Sequence, residues 1–351
     1  MYYINKQQSD RIRFIKVICT FMVIFIHANS STVAISDNRA LSDFSNCFQV
    51  LRFIISECFS RIAVPCFFLI SSILLHSKPF TWTNNIKKKI KNLLVPYFIF
   101  ISLYIIIFFV AQSIPFTAIY FSNPDNIIRN WGVLEWVDAY IGKISRNVPF
   151  NVALWFVRDL FILNILSIPI KRVVNKFPKI VFLLILVVWI YNCPTPVVDN
   201  QAIVFWVLGI LIVKYNYKTN LIDNCKWIII TIPALILLLL DCKYKITMIH
   251  QISIILYMII VVKASKYLTT GKVGNRILSL SKYNFFIYAF HLIVLITFIK
   301  FCRHYIPQYS FVEFLEYVAS PFITVLICII IAKIIIKLTP DLYNLITGSR
   351  L

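Results

Sequence analysis

Residues 14–28 read FIKVICTFMVIFIHA. The run is apolar enough for a membrane, yet Lys16 stands near one end and His27 near the other, with ten mostly apolar residues between them. A helical rise of about 1.5 Å per residue puts the two roughly 16 Å apart along the axis. Lys16 is therefore expected near one surface and His27 roughly two thirds of the way across. An imidazole at that depth is costly unless it faces the protein interior or a water-filled cavity, which makes His27 a functional candidate. The competing reading is a histidine that hydrogen-bonds neighbouring helices together.

The rest of the chain extends this pattern. Its 351 residues are 60% hydrophobic, with a mean hydropathy of +0.82, more than a soluble core requires. The apolar runs are continuous over about 17–22 residues rather than short and alternating, so helices are expected and a barrel is not. Ten runs stand out, at 14–34, 54–76, 93–113, 152–170, 178–193, 198–213, 226–241, 247–263, 283–300 and 317–338. The expected fold is an all-α, polytopic integral membrane bundle of about ten spans, forming one domain over 1–351. No small-residue cleavage site follows the first run, so no cleavable signal peptide is expected.

Charge supplies the orientation. The N-terminus is set in the cytoplasm with alternating loops, and lysines at run ends, Lys16, Lys300, Lys333 and Lys337 among them, are counted with their adjoining segments. The inside then holds 24 Lys and Arg and the outside 9, with Arg61 and Arg158 inside spans. Acidic residues split the other way, three inside and ten outside. The positive-inside rule thus places both termini in the cytoplasm, with ten crossings. The net charge of +21 sits in short clusters between apolar runs, which argues for membrane loops and against nucleic acid. The bacterial cytoplasmic membrane is the expected location. The longest outside segment, 114–151, is aromatic, polar and mixed in charge. It reads either as a cap over an external cavity or as a re-entrant interfacial loop.

Other polar residues fall within apolar runs. Arg61 lies near the outer end of the second, and Arg158 and Asp159 follow Trp155 in the fourth. Helix neighbours point about 100° apart, so Arg158 and Asp159 are not expected to pair with each other, and Arg61 is the expected partner of Asp159. Such a network would shape a substrate cavity or simply fix the bundle. His291 lies mid-span in the ninth run; it either meets a substrate or only packs. His76, His250 and His304 lie near run ends and read as interfacial. Nine cysteines are scattered without a C-x-x-C pair; Cys47, Cys58, Cys193 and Cys242 are expected toward the outside. No His/Cys/carboxylate cluster has metal-ligand spacing, and there is no glycine-rich phosphate loop and no G-x-S-x-G element.

Several segments resemble, in order, the acyltransferase-3 family of integral membrane acyltransferases. RIRFIKVICTFMVIFIHA, 11–28, resembles its first-helix signature of arginine, ten residues and histidine, with Lys16 in the arginine's place. SRIAVPCFFLISSILL, 60–75, resembles its second-span block, with Ser72 where glycine is usual. KKKIKNLLVPY, 87–97, resembles its basic run, and LWFVRDLFIL, 154–163, its Leu-Trp-Phe block. YNFFIYAFHLIV, 283–294, resembles its late Tyr-x-x-x-His-Pro segment without the proline. The resemblance implies transfer of an acetyl or other short acyl group from an acyl-CoA co-substrate on the cytoplasmic side to a carbohydrate hydroxyl, often of a surface polysaccharide.

On that reading His27 is the general base, or transiently carries the acyl group, because histidine has the intrinsic pKa for the task. Lys16 and Arg13 hold the CoA phosphates, with Arg11 nearby, although lysine lacks arginine's bidentate fork. His291 and Asp159 join the catalytic set, and Arg61, Trp155 and Arg158 face the acceptor. No bound cofactor or metal is expected. A transporter or flippase for a glycan or lipid-linked substrate is the alternative; the absence of visible internal repeats counts against it.

Overall fold

The computed structural model describes residues 2–32, 47–121, 123, 126–144 and 148–349. Among them every regular element is helical. In chain order these are α1 (Lys6–Thr32), α2 (Cys47–His76), α3 (Trp82–Ser113), the short α4 (Val133–Ile141), α5 (Trp155–Ile165) and α6 (Ser167–Lys176). They continue with α7 (Pro178–Ile190), α8 (Asn200–Lys214), α9 (Trp227–Tyr244), α10 (Thr247–Leu268), α11 (Asn284–Tyr305) and α12 (Ser310–Leu338). The protein is an all-α polytopic membrane bundle.

Among the described residues, which leave out 33 and 34 of the first run, all ten apolar runs fall largely on helices, but they are not ten equal spans. Seven helical stretches are long and apolar enough to cross a membrane, and α5 with α6 makes an eighth, bent by 64°. The bend has a local cause. Pro169 has no N–H to give the carbonyl of Ile165, one turn back. Trp82 Nε1 donates to that carbonyl instead, at 2.8 Å. Helices α7 and α8 have 13 and 15 residues. They are about 20 and 22 Å long, short of a hydrocarbon core of about 30 Å. They form a hairpin, because Asn200 Nδ2 donates to Asn192 Oδ1 at the turn. Lys214 Nζ returns to the carbonyl of Asn175 at 2.9 Å. A hairpin that leaves and returns to one face preserves the alternation of the remaining helices.

The two chain ends accordingly share a face. Arg11, near the start, holds Asp223 through two bonds of 2.7 and 2.8 Å, and Tyr343 O–H donates to the carbonyl of Lys282. Helix α1 is central, packing against α2, α10, α11 and α12. Peripheral helices turn apolar side chains outward, among them Leu183 and Leu184 of α7 and Ile228, Leu235 and Leu239 of α9, as lipid contact requires.

The described part of the segment 114–151 turns inward along α3, and its Tyr120, Phe121, Pro149 and Phe150 help line a cavity. It starts level with the end of α3, where Gln112 Oε1 accepts from Ile128 N and Arg129 donates to Ser113. It then descends as α4, whose Tyr140 meets Ser102 through its hydroxyl at 2.8 Å and Tyr97 through its carbonyl. Ser102 to Gln112 spans about 15 Å of helix, which is the depth of the excursion. Outward-facing Val133, Leu134, Trp136, Val137 and Ile141 let it lie against lipid, while Asp138 caps its tip by accepting from Lys143 N and Ile144 N. This segment reads as polar in sequence because its polar groups bond back onto its own backbone.

Candidate active site

The bundle brings the two buried-run histidines together. The ring centroids of His27 on α1 and His291 on α11 are 5.3 Å apart. His291 is fully buried, and its Nδ1 bonds the carbonyl of Tyr288 at 2.7 Å. A carbonyl can only accept, so Nδ1 carries the hydrogen and Nε2 holds a lone pair. That Nε2 is buried without a hydrogen-bond partner among the described residues.

A cavity of about 490 Å³ approaches the pair from the face that carries the chain ends. It runs between α1, α2, α5 and α11, and its wall includes Arg13, Lys16, Thr20, Ser71, Lys282 and Tyr288. A second cavity of about 700 Å³ forms its mouth, sharing Lys16, Ser71, Leu93 and Leu160 and adding Lys78, Lys88 and Lys89. The deep end is closed by Tyr288, whose hydroxyl donates to the carbonyl of Ala153 and whose ring lies 6.1 Å from that of His291. Asn284 Nδ2 donates to the carbonyl of Lys16, tying α11 to α1 beside the chamber. The wall is thus basic outside, hydroxyl-bearing midway and aromatic at the end nearest the histidines.

From the opposite face a cleft of about 330 Å³ approaches. Glu57 and Arg61 line it, with Asp241 and His250 on the far wall. Arg61 Nε donates to Glu57 at 2.9 Å, and His250 Nδ1 lies 2.7 Å from Asp241. The cleft wall is bonded to α1 on both sides of His27: Ser56 Oγ donates to the carbonyl of Phe25 at 2.9 Å, and Asn29 Nδ2 donates to Glu57 at 3.2 Å. Residues Ile54–Phe59 form a π-helical stretch, a distortion frequent at functional sites. It sets Ser56 and Glu57 against α1.

The expected site residues divide into three groups. Lys16 and Arg13 line the inner chamber and Arg61 the outer cleft, with the Arg13 guanidinium also pairing with Asp10, while His27 and His291 lie against each other between them and line neither. Trp155 packs its ring on Phe68 at 6.3 Å and lines neither cavity. The expected Arg61–Asp159 pair does not form. Arg61 closes on Glu57 one turn away, and Arg158 pairs with its own neighbour Asp159 at 2.9 Å. Arginine's long arm curls back to do so, while its other end donates to the carbonyls of Ile141 and Gly142. The second Asp159 oxygen accepts from Asp199 N at 2.7 Å. Both carboxylate oxygens of Asp159 are therefore engaged in joining α5 to the start of α8.

Three further expectations are corrected. Arg11 is not beside the chamber's lysines; it is buried against Asp223, Ser265 and the carbonyl of Val262. His76 is not interfacial but buried, its Nδ1 bonded to the carbonyl of Ser72 at 2.8 Å. Cys58 and Cys242 are buried rather than outward, and the nine cysteines are all free thiols. Sequence reasoning missed Tyr288, Lys88, Lys89 and Lys282 around the inner chamber, and Glu57, Asp241 and His250 around the outer cleft. Tyr288 was within reach of it, lying one helical turn before His291.

The acyltransferase domain family matches residues 9–333 of the chain. The chain belongs to the acyltransferase-3 family. It is an enzyme, an acyltransferase for groups other than aminoacyl groups, and this sets aside the transporter reading. Among curated proteins it is similar to the Succinoglycan biosynthesis protein ExoH of Rhizobium meliloti (strain 1021), at 24% identity over 358 residues, covering 97% of this chain and 92% of that protein. No solved structure matches. Acyltransferase-3 members usually carry glycine where this chain has Ser72. Here Ser72 Oγ donates to the carbonyl of Trp206 at 2.6 Å. The close approach of α2 and α8 is made possible by Gly209 instead, since a Cβ there would lie 2.6 Å from that of Ser72.

Proposed function

We propose that this enzyme moves an acetyl or other short acyl group from its CoA thioester to a carbohydrate hydroxyl, with His27 as general base. The observation that carries this reading is the pair of cavities approaching the His27–His291 pair from opposite faces, one basic and one polar. The basic face is cytoplasmic by the positive-inside rule, in a bacterial inner membrane. A CoA nucleotide brings several phosphate charges, which Lys78, Lys88 and Lys89 meet at the mouth as point charges. The pantetheine arm follows the wall past Lys16 and Ser71 toward Tyr288.

The acceptor hydroxyl gives its proton to the unprotonated nitrogen of His27 as its oxygen attacks the thioester carbonyl carbon. The C–S bond breaks, and the imidazolium returns the proton to the leaving thiolate, yielding an ester and free CoA. His291, its tautomer set by the Tyr288 carbonyl, presents its Nε2 lone pair beside His27, free to take a proton from a reacting group. The similarity to a protein named for succinoglycan biosynthesis supports a surface polysaccharide as acceptor.

The test is His27→Ala in vesicles holding the purified protein, with radiolabelled acetyl-CoA. Loss of a general base lowers transfer by about 10²–10⁴-fold. Full transfer by the variant refutes the assignment.

A further inference from the structure

Three features of the outer cleft are not used by the donor side. First, its formal charges balance. Glu57 is paired with Arg61, and the remaining acid and base on the wall are Asp241 and Lys245. His250 Nδ1 lies 2.7 Å from Asp241, and the Lys245 ammonium lies 4.0 Å over the Phe53 ring. What the wall offers is a balanced set of hydrogen-bond donors and acceptors, extended by the amides of Asn192, Gln201 and Gln251. An anionic ligand needs a surplus of positive charge, whereas vicinal hydroxyls, each both donor and acceptor, match mixed carboxylate, amide and imidazole groups. Second, Gln251 Oε1 is buried without a partner among the described residues. A buried acceptor left unpaired is unfavourable, and a ligand O–H would satisfy it. Third, the bonds from Ser56 and Glu57 to Phe25 and Asn29 bracket His27, so the α2 wall of the cleft is fixed to the helix that carries the base.

We infer that the outer cleft is the binding site for a neutral, hydroxyl-rich sugar ring of the acceptor, held by Asp241, His250 and Gln251. This rests on the acyltransfer reading above. The second outward cavity, lined by Tyr104, Phe108, Phe121, Lys300 and Arg303, is aromatic and cationic and serves as the contrasting site.

The test uses the full-length protein in proteoliposomes, with acetyl-CoA on the basic face and neutral oligosaccharides on the other. Maltose, cellobiose, lactose and their longer homologues are the probes, and acetyl transfer and CoA thiol release are the readouts. Asp241→Asn, His250→Gln and Gln251→Leu are each expected to raise the KM for the best oligosaccharide tenfold or more. The KM for acetyl-CoA should stay within twofold of wild type, which also reports that each variant is folded. Lys300→Gln and Phe121→Leu are expected to leave both values unchanged. Unaltered oligosaccharide KM in the three cleft variants overturns the inference. So does a raised KM in the Lys300 or Phe121 variants alone, or acceptance of uronic-acid oligosaccharides but no neutral ones. Acetyl-CoA that is neither bound nor cleaved by wild type refutes the acyltransfer reading itself, an outcome distinct from normal donor cleavage with unchanged acceptor KM.

Discussion

Two buried polar clusters lie inside this bundle, and they are built differently. In the Arg158–Asp159 cluster the carboxylate is fully engaged: one Asp159 oxygen takes Arg158 Nε, the other takes Asp199 N, and Arg158 Nη1 reaches the carbonyls of Ile141 and Gly142. In the His27–His291 cluster the Nδ1 of His291 is bonded to the Tyr288 carbonyl, and its Nε2 is buried without a hydrogen-bond partner among the described residues. Both clusters put polar groups where lipid-like surroundings make them costly. The first cluster spends its hydrogen-bonding capacity on holding α4, α5 and α8 together. The second keeps that nitrogen in reserve, and it is the one that two cavities approach. An Nε2 unpartnered among the described residues, beside a second imidazole and within reach of a cavity wall, separates the His27–His291 pair from the Arg158–Asp159 cluster.

Mutations can break that contrast. The largest effect is expected at His27, where alanine should lower acyl transfer by about 10²–10⁴-fold with little change in melting temperature, read by kinetics and thermal denaturation of the same preparation. Asp159→Asn should do the reverse. It leaves Arg158 short of its partner, at a stability loss of about 3 kcal/mol, while the surviving folded fraction keeps its specific activity. Gly209→Ala should destabilise by about 1–3 kcal/mol, because the added methyl meets Ser72. A Ser72→Gly second change should restore much of that loss, a non-additivity that a double-mutant cycle reads directly. The smallest effect is expected at the chamber mouth. Lys88→Gln should raise the KM for acetyl-CoA severalfold, more at low ionic strength, because it removes one of several screened charges.

Much of this was legible in the chain itself. Continuous apolar runs mark every long helix, and a histidine within such a run marks both members of the pair. The sequence order of His27 and His291, separated by most of the chain, does not show that they touch; that follows from α1 and α11 packing side by side. The Arg158–Asp159 pair was misread because helix geometry fixes where Cβ atoms point, not where a long guanidinium arm ends. Arg11 and Lys16 look alike in a basic N-terminal run. Only the packing of α1 against α10 sends Arg11 to Asp223 and Ser265 and leaves Lys16 on the chamber wall. The segment 114–151 stays open between two readings in sequence because α4 has an apolar outward face and polar flanks. The outer cleft draws on α2, α9 and α10 and has no signature within any one of them.

The most direct test of the central claim is sidedness. In sealed vesicles of known orientation, labelled acetyl-CoA is supplied to one face and a carbohydrate acceptor to the other. Transfer that requires acetyl-CoA on the face of Lys78, Lys88 and Lys89, acceptor on the opposite face, and an intact His27 is the predicted result. Equal transfer with both substrates confined to the basic face would contradict a site reached from two sides.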